Sequence, residues 1–81
     1  MPYIKPETRD VMLVCRPSRP GDLAFKLAAH INQYLQGNGR SFQTFCEVEG
    51  VLQCLSKEIY RRLTAPYEDE KIKQNGDVFD V

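Results

Sequence analysis

Residues 41–64, "SFQTFCEVEGVLQCLSKEIYRRLT", constrain the fold more than any other segment, because large apolar side chains recur there at spacings of three and four. That spacing approaches the a/d pattern of a coiled coil and predicts one long helix, with Ser41 as its N-cap. Val51, Cys54 and Tyr60 widen the apolar seam, which predicts a helix buried on more than one side. The seam consists of Phe42, Phe45, Val48, Leu52, Leu55, Ile59 and Leu63.

A second amphipathic segment, residues 22–36, precedes the long one and predicts another helix. Asp22 stands at its start, where an acid serves as N-cap or meets the helix dipole in the first turn. "GNGR" follows at residues 37–40, and Gly37 suits the left-handed position that ends a helix. The two segments therefore predict an antiparallel helical hairpin.

A third, short helix is predicted after residues 64–66, because the residue before a proline disfavours helical backbone. Pro66 suits the first turn of the new helix. Acids at residues 68–70 and two lysines further on match the two ends of the helix dipole. Asn75-Gly76 is typical of a helix end.

The two ends of the chain are predicted to be extended. Residues 1–21 contain four prolines and read as an N-terminal arm, in which "DVMLVC" at residues 10–15 forms an edge strand or covers a core. Residues 77–81 read as a short strand or docking tail. The predicted class is mainly all-α, with a helical domain at residues 22–76 between arm and tail.

Size and charge favour a homo-oligomer. The chain has 81 residues, 42% of them hydrophobic, and so small a domain buries too little surface alone. We expect the spare face of the long helix to pair with another copy. Net charge is zero, which argues against a generic nucleic-acid binder. Residues 1–40 carry six bases and three acids, and residues 41–81 carry five bases and eight acids, a polarity suited to antiparallel or head-to-tail pairing.

The residues predict no cofactor, no metal and no enzymatic activity. The three cysteines form no C-x-x-C motif and read as small packing residues in a reducing compartment. His30 is the only histidine, so no multi-histidine metal site is possible. A calcium loop starting at Asp69 fails because Lys71 and Lys73 occupy ligand positions. No segment approaches ~18 consecutive apolar residues and no signal peptide is present, so we expect an intracellular protein without a membrane span.

One cluster near the end of the long helix is the candidate ligand-binding site. Arginines bind phosphate bidentately and tyrosines stack on bases, which suggests an anion or nucleotide site. The alternative is structural: Glu58 pairs with Arg62 one turn away, and cations are favoured near a helix C-terminus. The cluster consists of Lys57, Tyr60, Arg61, Arg62 and Tyr67.

Three motifs resemble a family of small uncharacterised phage and prophage proteins. They are "MPYI" at residues 1–4, "EIYRR" at 58–62 and "APYEDEKIKQNGDVF" at 65–79, and residues 8–22 depart most from the family. The resemblance implies a phage origin and a location in the host cytoplasm, but no activity.

The predicted function combines the apolar helix, the cation cluster and this implied origin. We expect a non-enzymatic, homo-oligomeric phage protein that sequesters a nucleotide-derived signal, such as a cyclic nucleotide, as a counter-defence sponge. The alternative is a phage adaptor or inhibitor that binds a host or virion protein through its helix seam and tail.

Overall fold

A computed structural model of the chain describes residues 3–79, and every regular element over those residues is helical. This confirms the predicted mainly all-α class. Met1 and Pro2 of the N-terminal motif, and Asp80 and Val81 of the tail, lie outside the described residues. The elements are α1 (Pro6–Val14), α2 (Pro20–Asn38), α3 (Phe42–Ile59), a π-helical turn (Tyr60–Thr64, the π turn) and α4 (Ala65–Asn75).

Helix α1 corrects the predicted extended arm, which is wrong over Pro6–Val14. Pro6 lies in the first turn of α1, where a helix does not use the backbone N–H that proline lacks. The flanking residues Lys5 and Cys15 have extended backbone, and Pro17 comes only after the helix has ended. The predicted edge strand at residues 10–15 is wrong for the same reason: the prolines bound a helix instead of preventing one.

Helix α2 is longer than predicted, because Pro20 occupies its first turn and the helix continues to Asn38. Asp22 is confirmed as a first-turn acid. The predicted left-handed position at Gly37 is wrong, since Gly37 stays helical and the positive φ, 90°, belongs to Gly39. The last turn stays closed because the Gly39 N–H donates to the carbonyl of Leu35 at 2.8 Å.

The reversal between α2 and α3 is fixed by hydrogen bonds around Thr44, which is 6% exposed. The Thr44 hydroxyl donates to the carbonyl of Gly39 at 2.8 Å and lies 3.0 Å from the backbone N–H of Ser41, which donates to it. The Thr44 N–H donates to the Ser41 hydroxyl at 3.2 Å, which confirms Ser41 as the N-cap of α3.

The chain divides into two units, Met1–Phe45 and Cys46–Val81. In the first unit, α1 and α2 are in contact, and the guanidinium of Arg9 lies 5.9 Å from the centre of the Phe25 ring. The Lys26 ammonium also donates to the carbonyl of Cys15. The packing of α2 on α3 that a hairpin requires stays a prediction, as do the domain boundaries at residues 21–22 and 76–77.

In the second unit, α4 ends at Asn75 as predicted. Gly76 has a positive φ of 87°, and its N–H donates to the carbonyl of Ile72 at 2.8 Å. The described part of the tail, residues 77–79, forms no strand. There the Phe79 N–H donates to the Asp77 carboxylate at 3.0 Å, a local turn.

Candidate functional site

The predicted break at Pro66 is wrong, because α3 continues into α4 through the π turn. A proline inside an α-helix removes one hydrogen bond and clashes with the carbonyl four residues earlier. Here the helix widens before the proline, and the N–H of Ala65 donates to the carbonyl of Tyr60, five residues back. Thr64 and Ala65 keep helical backbone, so the chain passes Pro66 without leaving the helix.

The π turn changes which residues share a face of the helix. In a regular α-helix, residues eight apart are rotated by about 80° from one another. A turn closed by five residues instead of four inserts one residue, so positions eight apart come back to the same side. The Tyr60 hydroxyl donates to Glu68 at 3.2 Å, which shows this register directly. Ile59 and Tyr67 are also eight apart and therefore share a face.

The result is a continuous apolar stripe along the second unit, from α3 through the π turn into α4. Its members follow one another at three or four residues. Val48 is half-buried, and the exposed fractions of the other five run from 40% at Leu52 to 66% at Leu63. The described residues of this unit, 46–79, form one helical run with a short tail, so the unit contains no second helix to cover the stripe. The apolar stripe comprises Val48, Leu52, Leu55, Ile59, Leu63 and Tyr67.

Arg61 of the candidate cluster is held by a carboxylate of its own helix. Its Nη2 atom lies 3.1 Å from each carboxylate oxygen of Glu58, three residues earlier. The structural alternative from the sequence, a pair between Glu58 and Arg62, is therefore replaced by a pair between Glu58 and Arg61. Both side chains are exposed, so this ion pair contributes at most about 1 kcal/mol.

The two tyrosines of the cluster take partners from α4. The hydrogen bond from Tyr60 to the Glu68 carboxylate raises the pKa of Tyr60 above its usual 10.0, and the charges of Glu68 and Asp69 act in the same direction. The ammonium of Lys71 lies 5.5 Å from the centre of the Tyr67 ring, within the range of a cation–π contact. The ring of Tyr67 is thus bordered by a cation at the end of the apolar stripe.

The surroundings of Tyr60 oppose phosphate binding. The open groove that contains Tyr60 is lined by three acids, Glu68, Asp69 and Asp77, against one lysine. A phosphate at Tyr60 or Arg61 would have to compete with a carboxylate already in place.

Lys57 and Arg62 are the two cations of the cluster that show no protein partner within residues 3–79. Arg62 lines a shallow groove together with Glu58, Ile59 and Leu63, at the edge of the apolar stripe. The five predicted residues share one helical run, and their role as a ligand-binding site stays a prediction.

The cysteines do not have the predicted packing role, since Cys15, Cys46 and Cys54 are all exposed free thiols. Cys46 and Cys54 lie on α3, which has no second helix against it in its unit. Within residues 3–79 no three His, Cys, Asp or Glu side chains are grouped so that they could hold a metal ion. None of the helices in the described part of the chain is both long and apolar enough to cross a membrane.

Fold and surface together define a small all-α protein whose most prominent feature is an uncovered apolar helix face. The chain belongs to the family of a domain of unknown function, DUF6899, whose family model matches residues 1–78. This confirms the predicted membership of a family without an assigned activity. No curated protein and no solved structure matches the chain.

Proposed function

We propose that this protein is a non-enzymatic, homo-oligomeric binding protein that covers its apolar stripe with another copy of itself. The observation that carries the proposal is the exposure of five of the six stripe side chains, all except the half-buried Val48, in a unit without a second helix. Burying apolar surface is worth roughly 25 cal/mol per Å², so the stripe supplies a driving force for association.

The absence of enzymatic activity is supported by the burial pattern. Catalytic groups work in desolvated sites, where burial and neighbouring charges adjust their reactivity. Over residues 3–79 the only buried side chain is that of Thr44, and its hydroxyl is used by the turn that begins α3.

We infer a phage or prophage origin, and with it a location in the host cytoplasm, from the motifs at residues 1–4, 58–62 and 65–79. If the stripe accepts a host or virion protein instead of a second copy, the protein is the adaptor or inhibitor that the sequence offers as the alternative.

The test is the molar mass of the protein in solution, measured by light scattering after size-exclusion chromatography. We expect an assembly larger than 9.3 kDa, and we expect Leu55→Asp to return it to a monomer, because a charge would replace a buried side chain. Gln53→Asp, which adds the same charge to α3 away from the stripe, is the matched control and should leave the assembly intact.

A monomeric wild-type protein would overturn the proposal. Capture of host proteins on the immobilised chain would then decide whether the adaptor function applies, with Leu55→Asp as the negative control.

Binding of a nucleotide stays a prediction. Lys57 and Arg62 are the two cations of the cluster that remain available to bind its phosphates. Calorimetric titration with cyclic dinucleotides and ADP-ribose derivatives tests it. Binding heat that disappears in Arg62→Ala would support a sponge, and the absence of heat with every ligand would exclude one built on this cluster.

A further inference from the structure

We infer that the second copy lies antiparallel on the apolar stripe, with the two-fold axis near Leu55, an inference that rests on the proposed self-association. In this arrangement Leu55 packs against Leu55 of the other copy. Leu52 then faces Ile59 of the other copy, and Val48 faces Leu63. The uncovered side chains of one chain are thereby matched by those of the other.

Charge along the helical run supports this direction. Residues 46–52 carry Glu47 and Glu49 and no base, which gives a charge of −2. Residues 58–64, which lie opposite them about an axis at Leu55, carry Arg61 and Arg62 against Glu58, which gives +1. An antiparallel pair centred on Leu55 sets each acidic segment opposite a basic one. A parallel pair in register sets the two acidic segments side by side.

The charges also lie on the required edge of the stripe. Glu47 and Glu58 are eleven residues apart, three turns of α-helix, so both flank the same edge. Arg62 follows Glu58 by four residues, one turn further along that edge. Two-fold antiparallel helices bring the same edge of each copy together, so Glu47 of one copy meets Arg62 of the other, twice per dimer.

Arg62 is suited to this contact. Its side chain is exposed at the border of the stripe, beside Ile59 and Leu63, and within residues 3–79 it has no acceptor of its own. Its neighbour Arg61 is held by Glu58. The inference thus gives Arg62 a role in recognition of a second copy, with a carboxylate as its ligand.

Charge reversal on the full chain tests the pairing. We expect Glu47→Lys and Arg62→Glu each to weaken the dimer about tenfold, the scale of two exposed ion pairs turned into repulsions. The double variant should recover most of the loss. Lys57→Glu changes the charge equally on the side of the helix away from the stripe and should leave the dissociation constant within about twofold. Unchanged helicity by circular dichroism confirms that each variant folds.

Single variants without effect, or a double variant without recovery, would overturn the inference while leaving the proposed function intact. A wild-type protein that is monomeric in the same measurement would instead overturn the proposed function.

Helix direction is measured independently by pulsed electron spin resonance on chains labelled at one position, with Cys15, Cys46 and Cys54 replaced by serine. Labels at Gln53→Cys lie close to the proposed axis and should be within about 25 Å of one another. Labels at Gln74→Cys lie nineteen residues beyond Leu55 and should be on the order of 55 Å apart. A short distance at both positions would show a parallel pair and contradict the inference.

Discussion

The turn before α3 and the apolar stripe after it are stabilised by opposite means. At the turn, short polar side chains satisfy backbone groups within six residues, and Thr44 is buried by its own neighbours. Along the stripe, six large apolar side chains follow one face and find no second helix in their unit. The turn is completed by one chain, whereas the stripe needs another surface.

This difference indicates where stability depends on protein concentration. Hydrogen bonds of a cap form within one chain and are unaffected by dilution. Covering the stripe is an association, and anything that binds only the folded state raises the melting temperature by mass action. The two regions should therefore respond differently to substitution and to dilution.

The largest effect is expected from Leu55→Asp at the centre of the stripe. Wild-type Tm should rise with protein concentration, and the variant should lose this dependence together with more than about 3 kcal/mol of stability. Circular dichroism melts over a hundredfold range of concentration measure it. A concentration-dependent Tm in the variant would show that the stripe is not the associating surface.

A smaller effect is expected from Pro66→Ala. Without the proline a regular α-helix is favoured by about 3 kcal/mol, which should remove the π turn and rotate Tyr67 away from the stripe. We expect weaker association in spite of better helix propensity, by about 1–2 kcal/mol per chain, the value of burying one such side chain. Equilibrium ultracentrifugation measures it.

The control for that effect is Tyr67→Ala, which should weaken association to a similar extent. Adding it to Pro66→Ala should then have little further effect. Tighter association of Pro66→Ala would mean that the π turn does not serve the stripe.

At the turn, Ser41→Ala should cost about 1 kcal/mol, because the N–H of Thr44 loses its acceptor. Thermal melts should show the same decrease at every protein concentration, in contrast to the stripe variants. Ser56→Ala on α3, a serine without a capping role, serves as the matched control and should not lower Tm. A decrease that vanishes on dilution would contradict the distinction between the two regions.

The smallest effect concerns Tyr60. The neutral Tyr60 hydroxyl donates a hydrogen bond to the Glu68 carboxylate, whereas the tyrosinate would be repelled by that carboxylate. The contact therefore stabilises the fold below the raised pKa of Tyr60, and this stabilisation is lost as pH rises through that pKa. Glu68→Gln should bring the pKa of Tyr60 back towards 10.0. Absorbance at the tyrosinate band reports it, with Tyr60→Phe identifying the residue. An unchanged titration would show that the Tyr60–Glu68 contact does not persist in solution.

The sequence predicted the helix ends correctly where a single residue determines how the helix begins or stops. Ser41 as N-cap, Asp22 in a first turn and Gly76 after a last turn all follow from the hydrogen-bonding needs of helix ends. The prediction for residues 6–14 was wrong because the prolines were weighed by number, whereas their effect depends on position: Pro6 starts a helix that a proline at residue 10 would have prevented.

The π turn could not be predicted by rules for regular helices. The spacing nevertheless contains a signal for it, because Tyr67, eight residues after Ile59, continues the stripe only if one residue is inserted. The candidate cluster was grouped by nearness in sequence. The structure instead pairs Arg61 with Glu58, Tyr60 with Glu68 and Tyr67 with Lys71. A given side chain has several acids within one or two helical turns. The helical register and the side-chain rotamers decide which of these acids it pairs with.

The π turn also means that the number of residues between Ile59 and Tyr67 sets the rotation of α4 relative to α3. Replacing Arg61 or Arg62 leaves every downstream residue on its own face. Deleting one residue, or inserting another, turns the whole of α4 by about 100° relative to α3. Homologues that conserve Leu63 and the rest of the stripe should therefore share the length of this segment, and a gap of one residue should coincide with the loss of Pro66.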